Sequence, residues 1–325
     1  MITGSVTGTV RDSSGAVVTQ AKLQLVNSGT GIVHSAASDA SGDFRFLLLP
    51  VGTYSLKASA TGFKTFLRDG IIVEADRSLG VPVTLDVGAV TETVEVQAGT
   101  PLLDPNTSSM GTVMDQKKVQ DLPLNGRNPM GLANLIPTVR GIGGFGGLAT
   151  STWGMSAVAI AGGSVLGNAY LVDGVANDKM IDGGASTQLP VEATEEFKVQ
   201  TNNMSAEFGR TSGGIISVIS KSGTNQFHGS LFEYLRNSSV AANEFFANKS
   251  GVARLPLNLN QFGGAVGGPI KKDRLFFFVD YEGVRQRQTL DETITSPTVP
   301  QRAGDFSNTR AANGSLITIY DPLTT

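Results

Sequence analysis

The sequence predicts a mainly β protein, on three observations. Charged residues are only 16% of the 325, while glycine reaches 40 and serine, threonine and asparagine are abundant; such a composition favours turn-rich strands over amphipathic helices. Short alternating runs separated by turn residues begin at the N-terminus and recur along the chain. The densest apolar patch, Phe44 to Val51, is short and contains Pro50, far from the roughly 20 apolar residues of a transmembrane helix. Any insertion into a membrane therefore uses strands.

Residues 1–88 read as a small β-sandwich. VTGTV at 6–10, AKLQLV at 21–26, GDFRFLL at 42–48, GTYSLKASA at 52–60 and VPVTLDV at 81–87 are its strands. RDSSG at 11–15 and DASGD at 39–43 supply the Asp, Ser and Gly of reversing turns. In the fourth run Tyr54, Leu56 and Ala58 share one face, and Ser55, Lys57 and Ser59 the other. This is the alternation of a half-buried strand.

Residues 89–222 change character to a mixed α+β unit. One short helical piece starts near Asp115 and is stopped by Pro123; a second is opened by Asn128 as N-cap with Pro129 at the first helical position. RGIGGFGG at 140–147 reads as loop, and AYLVDGV at 169–175, EEFKVQT at 195–201 and GGIISVISK at 213–221 read as buried strands.

At 206–237 the strand character switches. Gly214 to Lys221 is small and β-branched, whereas Gly229 to Arg236 is aromatic and bulky. The joint between them is expected to mark a change of environment. A wall strand gives alternate residues to lipid and uses aromatics at the interfaces. Phe232 and Tyr234 share one face of the second run. In LFFFVDYE, Leu275, Phe277, Val279 and Tyr281 share one face, opposite a mixed face of Phe276, Phe278, Asp280 and Glu282 that suits a lumen or an internal contact.

These runs carry family resemblances. GTVRDSSGAVV followed by SDASGDFRFLLLPVGTYSLKASATGFK resembles the carboxypeptidase regulatory-like domain, which implies a transthyretin-like β-sandwich. LPLNGRNPMGLANLIP, AYLVDGVAND and PVEATEEFKVQTNNMSAEFGRTSGGIISVISKSGTNQFHGS, in that order, resemble the plug domain of Oar-like TonB-dependent outer-membrane receptors. GGPIKKDRLFFFVDYEGVRQ at 267–286 is similar to an early barrel hairpin of the same group. The expected organisation is thus a sandwich over 1–88, a linker and plug over 89–222, and the first strands of a transmembrane β-barrel over 223–325. A family barrel of about 22 strands needs roughly 220 strand residues, so residues 223–325 are expected to leave it incomplete, with unpaired strand edges.

The resemblance implies transport or reception at the bacterial outer membrane. A plug blocks the barrel, ligand binds on the outer face, and a TonB-type periplasmic energy-coupling protein supplies the work. Partner capture in that family uses a short extended segment before the plug, the TonB box, and main-chain hydrogen bonds give such β-augmentation its grip. Glu92, Thr93, Val94, Glu95 and Val96 in TETVEVQA are the candidate; they also read as a last sandwich strand or a linker. Phe145 and Trp153, in the glycine-rich region, are candidate contacts to an unknown extracellular ligand, and outer-membrane lipid is the other expected partner. A cell-surface adhesion or carbohydrate-binding protein built on the sandwich is the competing reading.

Other chemistry finds little support. A net charge of −3 provides no basic field for nucleic acid, and there is no cysteine. Gly141, Gly143 and Gly146 match a GxGxxG spacing, but Pro137 and Arg140 precede them and no amphipathic helix follows, so the nucleotide-site context is missing. Asp173, Asp178 and Asp182 fit no EF-hand loop, and Asp173 reads as a turn residue. His34 and His228 lack neighbours at metal-ligand spacing, and no GxSxG elbow occurs. No catalytic residue, cofactor or metal is expected, and the chain is expected not to be an enzyme. MITGSVTGTV reads as a strand rather than a signal peptide, so the expectation is either no export or a start inside a longer precursor.

Overall fold

The computed structural model describes residues 3–89, 93–96, 110–141, 157–179, 183–204, 208–209, 211–243, 245–289, 296–311 and 313–320. They fall into two compact units, Met1–Tyr234 with Gln261–Val284, and Leu235–Asn260 with Arg285–Thr325. The chain is mainly β.

The first unit opens with β1 (Gly4–Asp12), β2 (Lys22–Asn27), β3 (Val33–Ala37), β4 (Asp43–Leu49), β5 (Gly52–Ser59), β6 (Thr65–Val73), β7 (Ser78–Gly80), β8 (Val83–Leu85) and β9 (Thr93–Val96). One sheet runs β4-β1-β7 with β8 also on β1, and the other runs β3-β2-β5-β6-β9. Alternation places the core between them: Tyr54, Leu56 and Ala58 of β5 are fully buried with Val6, Leu25 and Phe44, each large apolar side chain contributing about 2 kcal/mol. The turns form as their residues dictate. Asp12 accepts from the Ser14 and Ala16 amides at 2.9 Å each, and Asp39 accepts from Ser41 at 2.8 Å and Asp43 at 3.0 Å. Gly15 and Gly42 take the left-handed φ of +88° and +77° that close these turns.

A second core follows. β10 (Met110–Asp115), β17 (Thr194–Asn202), β18 (Ile215–Ser220), β13 (Ala169–Val172) and β14 (Val175–Ala176) form a five-stranded sheet in that order, with β13 parallel to β18. The short pairs β11 (Val139–Gly141) with β12 (Val158–Ile160), and β15 (Asp178–Lys179) with β16 (Gly184–Ala185), flank it. β18 is central and buried on both faces, so Ile215, Ile216, Ser217 and Val218 suit it as small or β-branched residues. Asp115 caps the helix Gln116–Asp121 by accepting from the Lys118 amide at 2.9 Å. Asn128 caps Pro129–Leu135, which is a 3-10 helix. Arg140 and Gly141, expected in a loop, are strand residues of β11; residues 142–147 lie outside the described residues.

β19 (His228–Asn237), β20 (Leu257–Lys271) and β21 (Leu275–Gln288) form a three-stranded meander. In the first unit its two faces are distinct. Phe227, Leu231, Val266, Ile270, Val279 and Tyr281 are exposed, and a side chain at Gly264 would meet Leu231 while one at Gly268 would meet Phe227. The same reasoning puts Phe232, which a side chain at Gly263 would strike, on the opposite face with Phe278 and His228. Leu275, Phe277, Val279 and Tyr281 thus do share the outward face. Phe232 and Tyr234 do not belong there: both rings lie under the Arg127 guanidinium on the opposite face, where Tyr234 stays 50% exposed. The correction has a simple cause, since an aromatic suits a stacking contact as well as a lipid interface.

The second unit contains the helix Phe245–Lys249 and a single turn, Val299–Arg302, closed by a Thr298/Gln301 capping box.

Candidate functional site

The segment 93–96 is already a β-strand. β9 pairs in parallel with β6, Thr65 opposite Thr93 through Arg68 opposite Val96. The parallel register needs a crossover, and the chain leaves β8 on the other sheet to make it. That crossover is pinned by Lys64 N donating to Asp86 O at 2.8 Å and Gly88 N to Gly62 O at 3.1 Å. Among the described residues β9 ends its sheet, with one edge on β6. Glu92 lies outside the described residues, so the structure brings four of the five candidates onto the sandwich.

Immediately after β6 the chain makes the turn Glu74–Arg77, and this turn docks on the second core. Strand β17 alternates: Phe197 and Val199 enter the apolar core, while Glu196, Lys198 and Gln200 form a row on the other face. That polar row is buried, at 3%, 4% and 2% exposure, which costs free energy unless partners are supplied. The turn supplies them. Ala75, fully buried, donates its amide to the Glu196 carboxylate at 3.3 Å, and its carbonyl accepts from Lys198 Nζ at 2.7 Å. Asp76 Oδ2 lies 3.5 Å from Lys198 Nζ and accepts from Gln200 Nε2 at 3.5 Å. Burial pushes the Glu196 carboxyl up to about 7; the Ala75 amide offsets this in part, and the nearby Glu74 and Asp76 carboxylates add to it. Burial likewise holds the Lys198 ammonium below its ordinary value, against the pull of Asp76 and Glu196.

Two further groups of contacts tie the meander to the rest of the first unit. Arg127 Nη2 donates to both Glu192 oxygens at 2.5 Å, and its guanidinium lies 4.1 Å over Tyr234 and 4.6 Å over Phe232. Gln261 Nε2 donates to Gly126 O at 3.3 Å beside it. At the joint, Asn225 Nδ2 donates to Thr30 O of the β2–β3 turn at 2.8 Å and to Asp273 Oδ1 of the β20–β21 turn at 2.7 Å. The Asp273 amide donates back to Asn225 Oδ1 at 2.8 Å, and Asn225 N to Gly29 O at 2.9 Å.

The remaining candidates separate. Phe145, Trp153 and Asp182 lie outside the described residues. Asp173 accepts from the Ser220 amide at 2.9 Å and hydroxyl at 2.7 Å, and Asp178 from the Tyr170 amide at 2.7 Å, so both are structural. Among the described residues no group of His, Asp or Glu is arranged to hold a metal. His34 packs on Tyr54 and His228 on Phe278. Sequence reasoning did not single out Arg127, Glu192, Asn225 or the row of Glu196, Lys198 and Gln200. The last had a local signal: polar residues at i, i+2 and i+4 in a strand whose intervening positions are apolar.

A family model for a carboxypeptidase regulatory-like domain matches residues 5–86, and one for an outer membrane beta barrel domain matches residues 219–325. The chain is 28% identical over 304 residues to the TonB-dependent transporter Oar of Myxococcus xanthus, covering 88% of this chain and 28% of that protein. It thus spans little more than a quarter of the relative's length. Among solved structures it is similar to the siderophore receptor PirA from Acinetobacter baumannii, at 21% identity, 61% of this chain, 27% of that chain and a TM-score of 0.40. It is also similar to the outer membrane transporter YddB from Escherichia coli, at 16% identity, 55% of this chain, 30% of that chain and a TM-score of 0.37.

Proposed function

We propose that this homologue of the Oar transporter, a protein of the bacterial outer membrane, takes up or exports a ligand with work delivered through a TonB-type periplasmic protein. The observation that carries the proposal is the sequence relationship to Oar across 88% of the chain, which runs through sandwich, second core and meander alike. In this reading residues 1–88 are a periplasmic sandwich, 89–222 a linker and plug, and 223–325 the first strands of the barrel wall. No bond chemistry is assigned to the chain.

Residues 92–96 are the segment that the energy-coupling partner captures. Among the described residues Thr93–Val96 end their sheet, and an edge strand offers unpaired amides and carbonyls to an incoming strand. Such a grip reads backbone rather than side chains. In the complete receptor, Val94→Ala is therefore expected to retain capture by the periplasmic domain of a TonB-type protein. Val94→Pro, which removes a donor and fixes φ, is expected to lose both capture and energy-dependent transport. Equal binding by the two variants would sink the assignment. Phe145 and Trp153 are proposed to meet the ligand on the outer side, and Trp153→Ala should then weaken its binding.

A further inference from the structure

We infer that the sandwich is a bracket that holds the plug in its seat, with one turn gripping the plug sheet, a second gripping the first turn of the wall, and release required before the plug rearranges. The inference rests on the plug-and-wall reading proposed above. On the plug side, the polar row Glu196, Lys198 and Gln200 would be an ordinary solvent face without the sandwich. Instead it is buried, and the Glu74–Arg77 turn matches it group for group, with an amide for the carboxylate and a carbonyl for the ammonium. On the wall side, the Asn27–Gly31 turn meets the joint and the β20–β21 turn through one residue, Asn225, which bonds to Gly29, Thr30 and Asp273. The turn around Asp273 is short, as the periplasmic turns of outer-membrane barrels are. One sandwich therefore spans the two bodies whose relative movement opens a channel.

The bracket is also placed to feel a pull. β9 pairs with Thr65–Arg68 of β6, and β6 runs directly into the turn that docks on β17. Tension on the capture strand reaches the plug contact along a single strand.

These 325 residues contain no cysteine, so within them an introduced pair has no native thiol to mispair with. A Cβ on Gly29 would lie 3.8 Å from that of Thr224, the typical Cβ separation of a disulfide. Asn225→Ala in the complete receptor loosens the wall grip. It is expected to raise entry of vancomycin, a bulky antibiotic excluded by an intact outer membrane, several-fold at unchanged receptor level. Adding Gly29→Cys with Thr224→Cys should suppress that leak when oxidised and restore it on reduction, a reversal that misassembly would not show. Should Asn225→Ala fail to assemble, Asp273→Ala weakens the same junction and carries the same expectations. A loosened receptor as tight as the wild type, or a leak indifferent to the disulfide, would overturn the bracket. Heat-modifiable migration of the wild-type protein reports the barrel reading separately, and its absence would count against that reading rather than the bracket.

Discussion

Glu196 is a carboxylate in a place where a carboxylate is costly. It is buried against the Ala75 amide, with Glu74 and Asp76 adding like charge and Lys198 supplying a counter-charge. Its folded value of about 7 stands above the ordinary 4.5. Between those limits the folded state holds a proton that the unfolded state has released, so stability falls as pH rises through the window. Below 4.5 the contribution is fully present, and above about 7 it is gone. The linkage amounts to roughly 3 kcal/mol at most. Glu196→Gln keeps the shape and removes this titration; its unfolding midpoint by calorimetry is expected to decline less steeply between pH 5 and 7 than that of the wild type, the raised Glu195 and Glu282 carboxyls supplying the remaining slope. A parallel decline in both would assign the slope to another group. Arg127 was equally invisible to local pattern, because its partners Glu192, Phe232 and Tyr234 come from distant parts of the chain.

At the scale of the element, the strands that sequence showed most clearly are those whose alternation or composition has one cause. β5 alternates because one face is core, and β18 is uniformly small and β-branched because both faces are covered. β17 was legible as a strand, but its polar row was not legible as an interface: alternate polar residues ordinarily mean solvent, and only the docked turn reverses that meaning. β19 misled in the other direction, its inward aromatics resembling lipid-facing ones. The joint between β18 and β19 also depends on a close approach. A side chain at Gly223 would fall on the backbone carbonyls of Phe277 and Gly268, where nothing flexible can yield. Gly223→Val is therefore expected to reduce assembled protein several-fold, with Gly223→Ala intermediate, by quantitative blotting of heat-modifiable protein. Wild-type levels for both would show that the joint does not sit against the wall.

For the molecule as a whole, the order of its parts was legible, since ordered motifs and turn chemistry are local. The way those parts are fastened was not. Ala75 and Glu196 are 121 positions apart and Thr30 and Asn225 are 195 apart, and no periodicity reports such pairings. The wall-and-plug reading requires one face of β21 to lie in lipid and the other against the plug. Spin labels introduced singly at 275–282 and at 231–234 of the complete receptor in bilayers measure this directly. Oxygen accessibility is expected to peak at 231, 275, 277, 279 and 281. The plug-side positions 232, 234, 278 and 282 should be shielded from both oxygen and a polar nickel chelate. A profile without a two-residue period, or with high nickel accessibility along both faces, would contradict a membrane wall around a plug.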